Sequence, residues 1–262
     1  NQLVDTAAKV AGKKVSKKII KGKILKKSID EIKSTVTLRA EELIQRRDVT
    51  LRALSANTIE EVIANLKPYG FGNEIEKAYL MYKDTKEIGI IDTYLDKILY
   101  QNLADSIKSK ADLNLLKLFG TELDVYNLTN IVRAKFWNMD SQMIKELLVS
   151  HTASTSDDLL SKMIDAENIK MSFIELSKTK FVDIIPTEGN DIFMINEFET
   201  KLNIFLYNSL LKEFANMFKL STAVSVVRLY DYEIQNLASI SYAVENNIST
   251  ETTMTKIIAP VQ

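Results

Sequence analysis

The chain of 262 residues is long enough to bury a substantial core, as one large domain or two of ordinary size. Its seven glycines and three prolines are too few for a sheet protein with many tight hairpins, which predicts an all-α fold. A net charge of −1 argues against bulk polyanion binding, and the lack of cysteine removes disulfides, a thiol nucleophile and cysteine-ligated zinc or iron–sulfur centres.

In chain order, residues 9–27 carry nine lysines interleaved with Val10, Val15, Ile19, Ile20, Ile24 and Leu25, the spacing of an amphipathic basic helix with Gly12 and Gly22 as weak points. That face could meet an anionic membrane or nucleic acid, or stand as solvated charge over a packed apolar stripe. Ser28 to Leu54 stays helical in pattern, with Glu41, Glu42, Arg46 and Arg47 expected on an exposed face. Asn57-Thr58 reads as a cap before Ile59 to Leu66, and Pro68, Gly70 and Gly72 end that helix. Lys77 to Tyr82 and Ile90 to Ile107 continue as helices, Thr121 starts the next one, and Asp140 or Ser141 caps a short helix to Val149. The Ser/Thr/Asp-rich stretch from His151 to Asp158 is the best linker, with Leu159 opening a second unit. Pro186 and Gly189 then break the pattern before two long helices, Phe193 to Lys219 and Ala223 to Asn246, and a short one from Ser249 to Ile258. No apolar run approaches the ~18 to 20 residues of a membrane span, and no signal-peptide core is visible. The chain opens on Asn1 and not Met, which leaves room for residues upstream.

The second half echoes the first. Asp124, Asn127, Leu128 and Ile131 match Glu233, Asn236, Leu237 and Ile240 about 109 residues on; Leu95 to Leu103 resembles Leu202 to Leu210; Ile63, Leu66, Phe71 and Ile75 answer Phe173, Leu176, Phe181 and Ile185. The order is kept and the offset nearly constant, much longer than the usual solenoid period. The expected organisation is a lysine-rich helical segment over 1–56, partial or degenerate as a unit, followed by helical units over 57–150 and 151–262.

Chemistry is sparse. His151 is the sole histidine and lies in the linker beside Ser150, six residues before Asp157; a Ser-His-Asp set is possible there, with an exposed histidine the plainer reading. With one histidine and no cysteine, a metal site would need oxygen ligands. The adjacent pairs Glu41/Glu42, Glu60/Glu61 and Asp157/Asp158 read as caps and solvated faces, and no phosphate loop or dinucleotide fingerprint is present. Aromatics such as Phe205, Tyr207, Phe214 and Phe218 fall at apolar helical positions and read as core. The asparagine of the repeated motif is the odd feature. Asparagine competes for backbone hydrogen bonds and gains little in a helix interior, so its recurrence suggests a tertiary partner. Asp124 with Asn127, and Glu233 with Asn236, share a helix face and could tie one helix to the end of its neighbour, or form a contact surface. No catalytic, cofactor-binding or metal-binding residue stands out.

These residues resemble the family formed by the C subunits of archaeal and bacterial A/V-type rotary ATPases, whose eukaryotic vacuolar members are the d subunits. Asp124 to Lys135, with Arg133, Ala134 and Lys135, is similar to the family's internal acid-x-x-Asn-Leu helix. Glu233, Asn236, Leu237 and Ile240 are similar to its last helix, and Glu61 to Phe71 and Ser172 to Phe181 to another of its helices. The resemblance runs from about Asn57 to the C-terminus. It implies a funnel-like assembly of helices, no catalysis and no cofactor. It also implies a peripheral place at the cytoplasmic face of the membrane, in the central stalk, where the protein links the membrane rotor ring to the central shaft and passes torque for proton or sodium transport coupled to ATP. The partners implied are the proteins of the ring and shaft, with membrane contact indirect and neither nucleic acid nor a small-molecule substrate. Asp124, Asn127, Arg133, Lys135, Glu233 and Asn236 are then the structural or partner-contact candidates. Asp231, Tyr232, Gln235 and Ala238 depart from the more basic last helix of the family, and two clear units stand where three are usual. A helical scaffold with no part in rotation is the alternative.

Overall fold

A computed structural model describes residues 15–36, 38–43, 45–67, 72–108, 113–216 and 219–259, and every regular element among them is helical. The chain divides into two compact units, 1–100 and 101–262.

The first unit holds α1 (15–24), α2 (Ile29–Thr35), α3 (Leu38–Leu43), α4 (Arg47–Ser55), α5 (Ile59–Leu66), α6 (Gly72–Thr85) and most of α7 (Gly89–Lys108). Helix starts are fixed by side chains: Ser28 and Glu31 close a capping box on α2, and Thr58 and Glu61 close one on α5. Helix α4 packs against α2, α3 and α5, and α5 against α6. Ile19, Ile20, Ala53, Leu54, Val62, Ile75, Ile90 and Leu95 are buried. Gly22 is needed where α1 passes α2, since a Cβ there would lie 2.5 Å from Ile32 Cγ1. The lysines of α1 are not a purely solvated face: Lys17 pairs with Asp96, Lys21 with Asp92, and Lys18 and Lys23 donate to the carbonyls of Thr35 and Ala56. Lys9, Lys13, Lys14 and Gly12 lie outside the described residues.

Three expectations for this unit need correction. Glu41 is not on an exposed face; it is 2% exposed and its Oε2 accepts the Thr50 hydroxyl at 3.1 Å. Arg46 is partly buried as well, and desolvation pulls its guanidinium below the usual arginine range while Glu41 pulls the other way. Gly72 does not end α5 but opens α6, where a Cβ would collide with Lys67.

The second unit holds α8 (Leu113–Phe136), α9 (Ser141–Leu147), α10 (Asp157–Asp165), α11 (Ile169–Ser177), a 3-10 turn at Val182–Ile184, α12 (Asp191–Phe214), α13 (Leu220–Glu245) and α14 (Thr250–Met254). Helix α8 is its axle: it packs against α12, α10, α9, α11 and α13. Fifteen of its residues are buried, so burial all round replaces the one-sided stripe of a surface helix. The core gathers Leu128, Ile131 and Val132 from α8, Leu160 and Met163 from α10, Phe173 and Leu176 from α11, and Phe198 and Leu202 from α12, with Phe181 between them. Phe173 meets Phe198 edge-on at 4.8 Å, and Phe181 meets Phe205 at 5.4 Å. Helix α8 begins well before Thr121, because the wholly buried stretch gives no amphipathic signal. Helix α10 begins at Asp157 under a Ser156 cap, two residues ahead of Leu159, and α9 ends at Leu147 short of Val149. Phe214 is 51% exposed and so is not core; Phe218 lies outside the described residues.

The repeat is visible in the caps. Helices α4 and α10 have nine residues each and end on an alanine of nearly identical backbone, Ala56 (φ −59°, ψ 141°) and Ala166 (φ −59°, ψ 143°). Helices α1, α8 and α13 all end in the same way, with Lys26, Asn138 and Asn247 in the left-handed region (φ 54°, 52° and 54°). In each, the next N–H returns to the carbonyl five residues back: Lys27 to Gly22, Met139 to Ala134, and Ile248 to Ala243. A side-chain cap follows at Ser28, Asp140 or Ser249. In a glycine-poor chain, lysine and asparagine therefore take the turn usually given to glycine. Replacing Asn138 or Asn247 by Ala is expected to cost about 1 kcal/mol, because the left-handed conformation is strained for a residue with only a Cβ. Asn→Gly at either position should come close to wild type in urea unfolding.

Candidate functional site

The repeated asparagines sit near the middle of α8 and α13. Asn127, fully buried, donates from Nδ2 to the Val149 carbonyl at 2.9 Å and accepts the Val149 N–H on Oδ1 at 2.9 Å. Asn236 does the same to Ile258, at 2.7 and 2.9 Å. In both cases the clamped residue lies 22 positions on, after the helix has ended, turned and produced a short helix. The amide acts as a peptide group would, satisfying a donor and an acceptor of returning backbone that would otherwise be buried unpaired. A carboxylate could not donate, a hydroxyl could not span both atoms, and glutamine would be one methylene too long.

Asp124, one turn before Asn127, holds the next stretch of that return. Its Oδ1 accepts the N–H groups of Ser154 and Thr155 at 3.1 and 2.8 Å and the Thr155 hydroxyl at 2.7 Å, while Oδ2 is buried without a hydrogen-bond partner. Gly120 completes the seat: its carbonyl accepts the Ala153 N–H, and a Cβ on it would lie 2.9 Å from that nitrogen. The stretch expected as a linker is therefore pinned to α8. Glu233, the counterpart of Asp124, is exposed.

The basic end of α8 reaches the neighbouring helices. Arg133 makes a two-point pair with Glu199 of α12, its Nη2 2.7 Å from Oε2. Lys135 places its ammonium at the C-terminal end of α10, donating to the carbonyls of Ile164 and Ala166, where the helix dipole favours a cation. Burial lowers the Lys135 ammonium's pKa from the usual lysine value, and Asp165 opposes that shift. The same hooks occur on α1, where Lys21 pairs with Asp92 and Lys23 reaches the Ala56 carbonyl. The signal that could have found these two was the i, i+2 spacing of cations at both helix ends.

A second polar group ties α13 to its neighbours. Arg228 pairs with the nearly buried Glu122 of α8 and with Asp231, and the Tyr232 hydroxyl donates to Asn203 Oδ1 of α12 at 3.1 Å. Burial pushes the Tyr232 phenol well above its ordinary range, Glu122 adds to that and Arg228 opposes it. Sequence reasoning missed this group, since nothing links Glu122 to Arg228 until α8 and α13 are packed.

Ser150, His151 and Asp157 do not form a hydrolytic set. Ser150 exchanges hydrogen bonds with the Gln101 amide, and His151, in the left-handed region, approaches Asp105 at 3.3 Å, while Asp157 sits in the first turn of α10. Among the described residues no cluster of histidine, aspartate or glutamate could hold a metal ion.

The profile of the ATP synthase (C/AC39) subunit family matches residues 15–256. The chain belongs to that family. Among relatives, the C subunit of the A-type ATP synthase of Pyrococcus horikoshii is 26% identical over 204 residues, covering 76% of this chain and 54% of the relative. The proteins of the same description from Methanobrevibacter smithii (26% over 202 residues, 70% and 53%) and Methanocaldococcus jannaschii (29% over 138 residues, 51% and 34%) follow the same trend. The matched part spans about half the length of the first of these relatives or less. No solved structure gives a significant match.

Two outcomes follow for this member of the C/AC39 family. Asn127→Ala leaves both Val149 backbone groups unpaired and is expected to cost about 1 to 3 kcal/mol; Asn236→Ala, at a half-exposed clamp, should cost less, and chemical unfolding of the two variants reads the difference. Tyr232 ionises near 10 when unfolded but resists ionisation when folded. Its contribution is therefore present below pH 10 and lost as pH rises beyond it, by about 1.4 kcal/mol per unit for one proton. Tyr232→Phe should flatten the alkaline limb of a stability–pH profile relative to wild type.

Proposed function

We propose that this chain is a non-catalytic component of the central stalk of an A/V-type rotary ATPase, joining the membrane rotor ring to the central shaft and passing torque between them. Family membership supports the assembly. The observation that carries the mechanical part is the clamp repeated on α8 and α13, in which one amide fixes both polar atoms of the returning backbone. An adaptor under load must resist shear. Side chains packed as densely as a crystal do so through many small contacts, and the clamps stop the helix ends from sliding over that core. The cationic hooks of α1 and α8 add cross-links from one helix end to the next.

The position we infer is peripheral, at the cytoplasmic face of the membrane and held there through the ring. No helix among the described residues is long and apolar enough to cross a membrane. Lys17 and Lys21 are engaged with Asp96 and Asp92, which reduces the free charge that a lipid surface or nucleic acid could use.

Affinity purification from native membranes tests this reading. Ring and shaft proteins are expected to accompany the chain, and the purified chain should show no ATP turnover. Recovery as a lone chain with no other ATPase components would favour a general helical scaffold. Retention on protein-free anionic liposomes equal to that on ring-containing membranes would instead favour an electrostatic membrane binder.

A further inference from the structure

Helix α13 has two unlike sides. Tyr232, Ala243, Ser221 and Ser225 are buried, and the helix packs against α12 and α8. On its other side Leu220, Val227, Tyr230, Ile234, Leu237 and Val244 are each between 60% and 72% exposed. Ala223 and Ser241, both exposed, fill the gaps in the series, and Ile248 continues it past the helix end. The steps alternate strictly between three and four residues. That is the a/d seam of a coiled coil, narrower than the stripe by which a helix faces a globular core.

The fold shows what a seam in this register does. On α8 the equivalent positions, Leu118, Thr121, Val125 and Leu128, are all less than 9% exposed, and Leu118, Val125 and Leu128 belong to the core shared with α10, α11 and α12. Within the unit over 101–262, no described residue covers the counterparts on α13 to that degree.

Charge identifies the occupant. The seam is flanked within α13 by Asp231, Glu233 and Glu245, and the single base of the helix, Arg228, is already committed to Glu122 and Asp231. A second copy of α13 would bring the same three acids and, within the helix, no base beyond Arg228 to meet them. The faces that receive equivalent helices are also taken in every copy: Asp92 of α7 by Lys21, and Glu199 of α12 by Arg133. The hooks themselves are missing, since Tyr242 and Val244, both exposed, stand where α8 has Arg133 and Lys135. We infer that α13 is a docking rail for a partner helix whose own apolar seam is flanked by lysine or arginine. Apolar contact supplies the attraction and the acidic flanks select the partner.

The test uses the full chain and two fluorescein-labelled synthetic helices of four heptads, both with Ile and Leu on the seam, one flanked by Lys and the other by Glu. Fluorescence anisotropy at low salt should show the Lys-flanked helix binding at least about tenfold more tightly, with the preference shrinking as salt is raised. Ile234→Asp and Leu237→Asp should abolish binding without lowering the melting temperature, because both side chains are exposed. The double variant Glu233→Lys with Glu245→Lys should reverse the preference between the helices. Equal binding of the two helices, no binding of either, or binding that survives Ile234→Asp would overturn the inference. So would a concentration-dependent dimer in sedimentation that Ile234→Asp dissolves, which would give the face to a second copy. The inference rests on the chain working within an assembly, but the two fail separately: loss of the other ATPase components from the membrane purification would sink the stalk reading and leave a Lys-flanked helix bound to α13.

Discussion

The structure depends on one buried amide. Asn127 stands in the middle of α8, the helix that α9 to α13 all pack against, and it satisfies both the N–H and the carbonyl of Val149. Backbone that re-enters a core without a partner for its polar atoms is costly, and neither a helix nor a sheet ladder is available at that point. The amide replaces a ladder rung with a side chain. With Val149 held, Ser154 and Thr155 fall on Asp124, Ala153 falls on Gly120, and α10, which follows, ends on Lys135. The clamp holds the return at Val149, and the return leads into α10.

That sequence of events explains why the repeat and the compact unit do not coincide. In sequence, α8 closes one copy of the pattern. In packing, it is the central element of the unit over 101–262, with α10, α11 and α12 around it. A repeat whose last helix serves as the core of its successor cannot bury its own apolar surface alone, the condition under which repeated units depend on their neighbours. Helix α1 stands in the same relation to α4 and α7 through Lys23 and Lys21, although its hooks carry the fixation without an asparagine, since Val15 occupies the corresponding place.

The sequence makes the helical class, the caps at Thr58 and Asp140 and the echo between Asn127 and Asn236 legible, because these rest on composition and on short spacings. The cap at Thr58 is local chemistry within four residues and is read directly, whereas the equally local box at Ser28 is missed. What else escapes is set by packing. Helix α8 begins at Leu113, which is invisible because a helix buried on all sides has no amphipathic period. Glu41 reads as a solvated charge until Thr50 is folded over it. Likewise the lysines of α1 read as a uniform basic face, and only the placement of Asp92 and Asp96 shows which of them are spent. The partner of the repeated asparagine is a backbone group 22 residues away, so the motif could show that a partner exists without naming it.

The two clamped helices differ in one informative way. Around Asn127 the acid is buried and holds the return, and the ends of the helix carry cations. Around Asn236 the acid Glu233 is exposed, and the positions of the cations hold Tyr242 and Val244. The two copies keep the clamp and differ in the burial of its acid and in the residues at the two cation positions. The amide is retained because the returning backbone has the same two polar atoms in each copy. At α8 the corresponding face is covered by helices of the same unit, whereas at α13 Ile234 and Leu237 are exposed. A close-packed body transmits displacement applied at one helix to the next through contacts that have little room to relax.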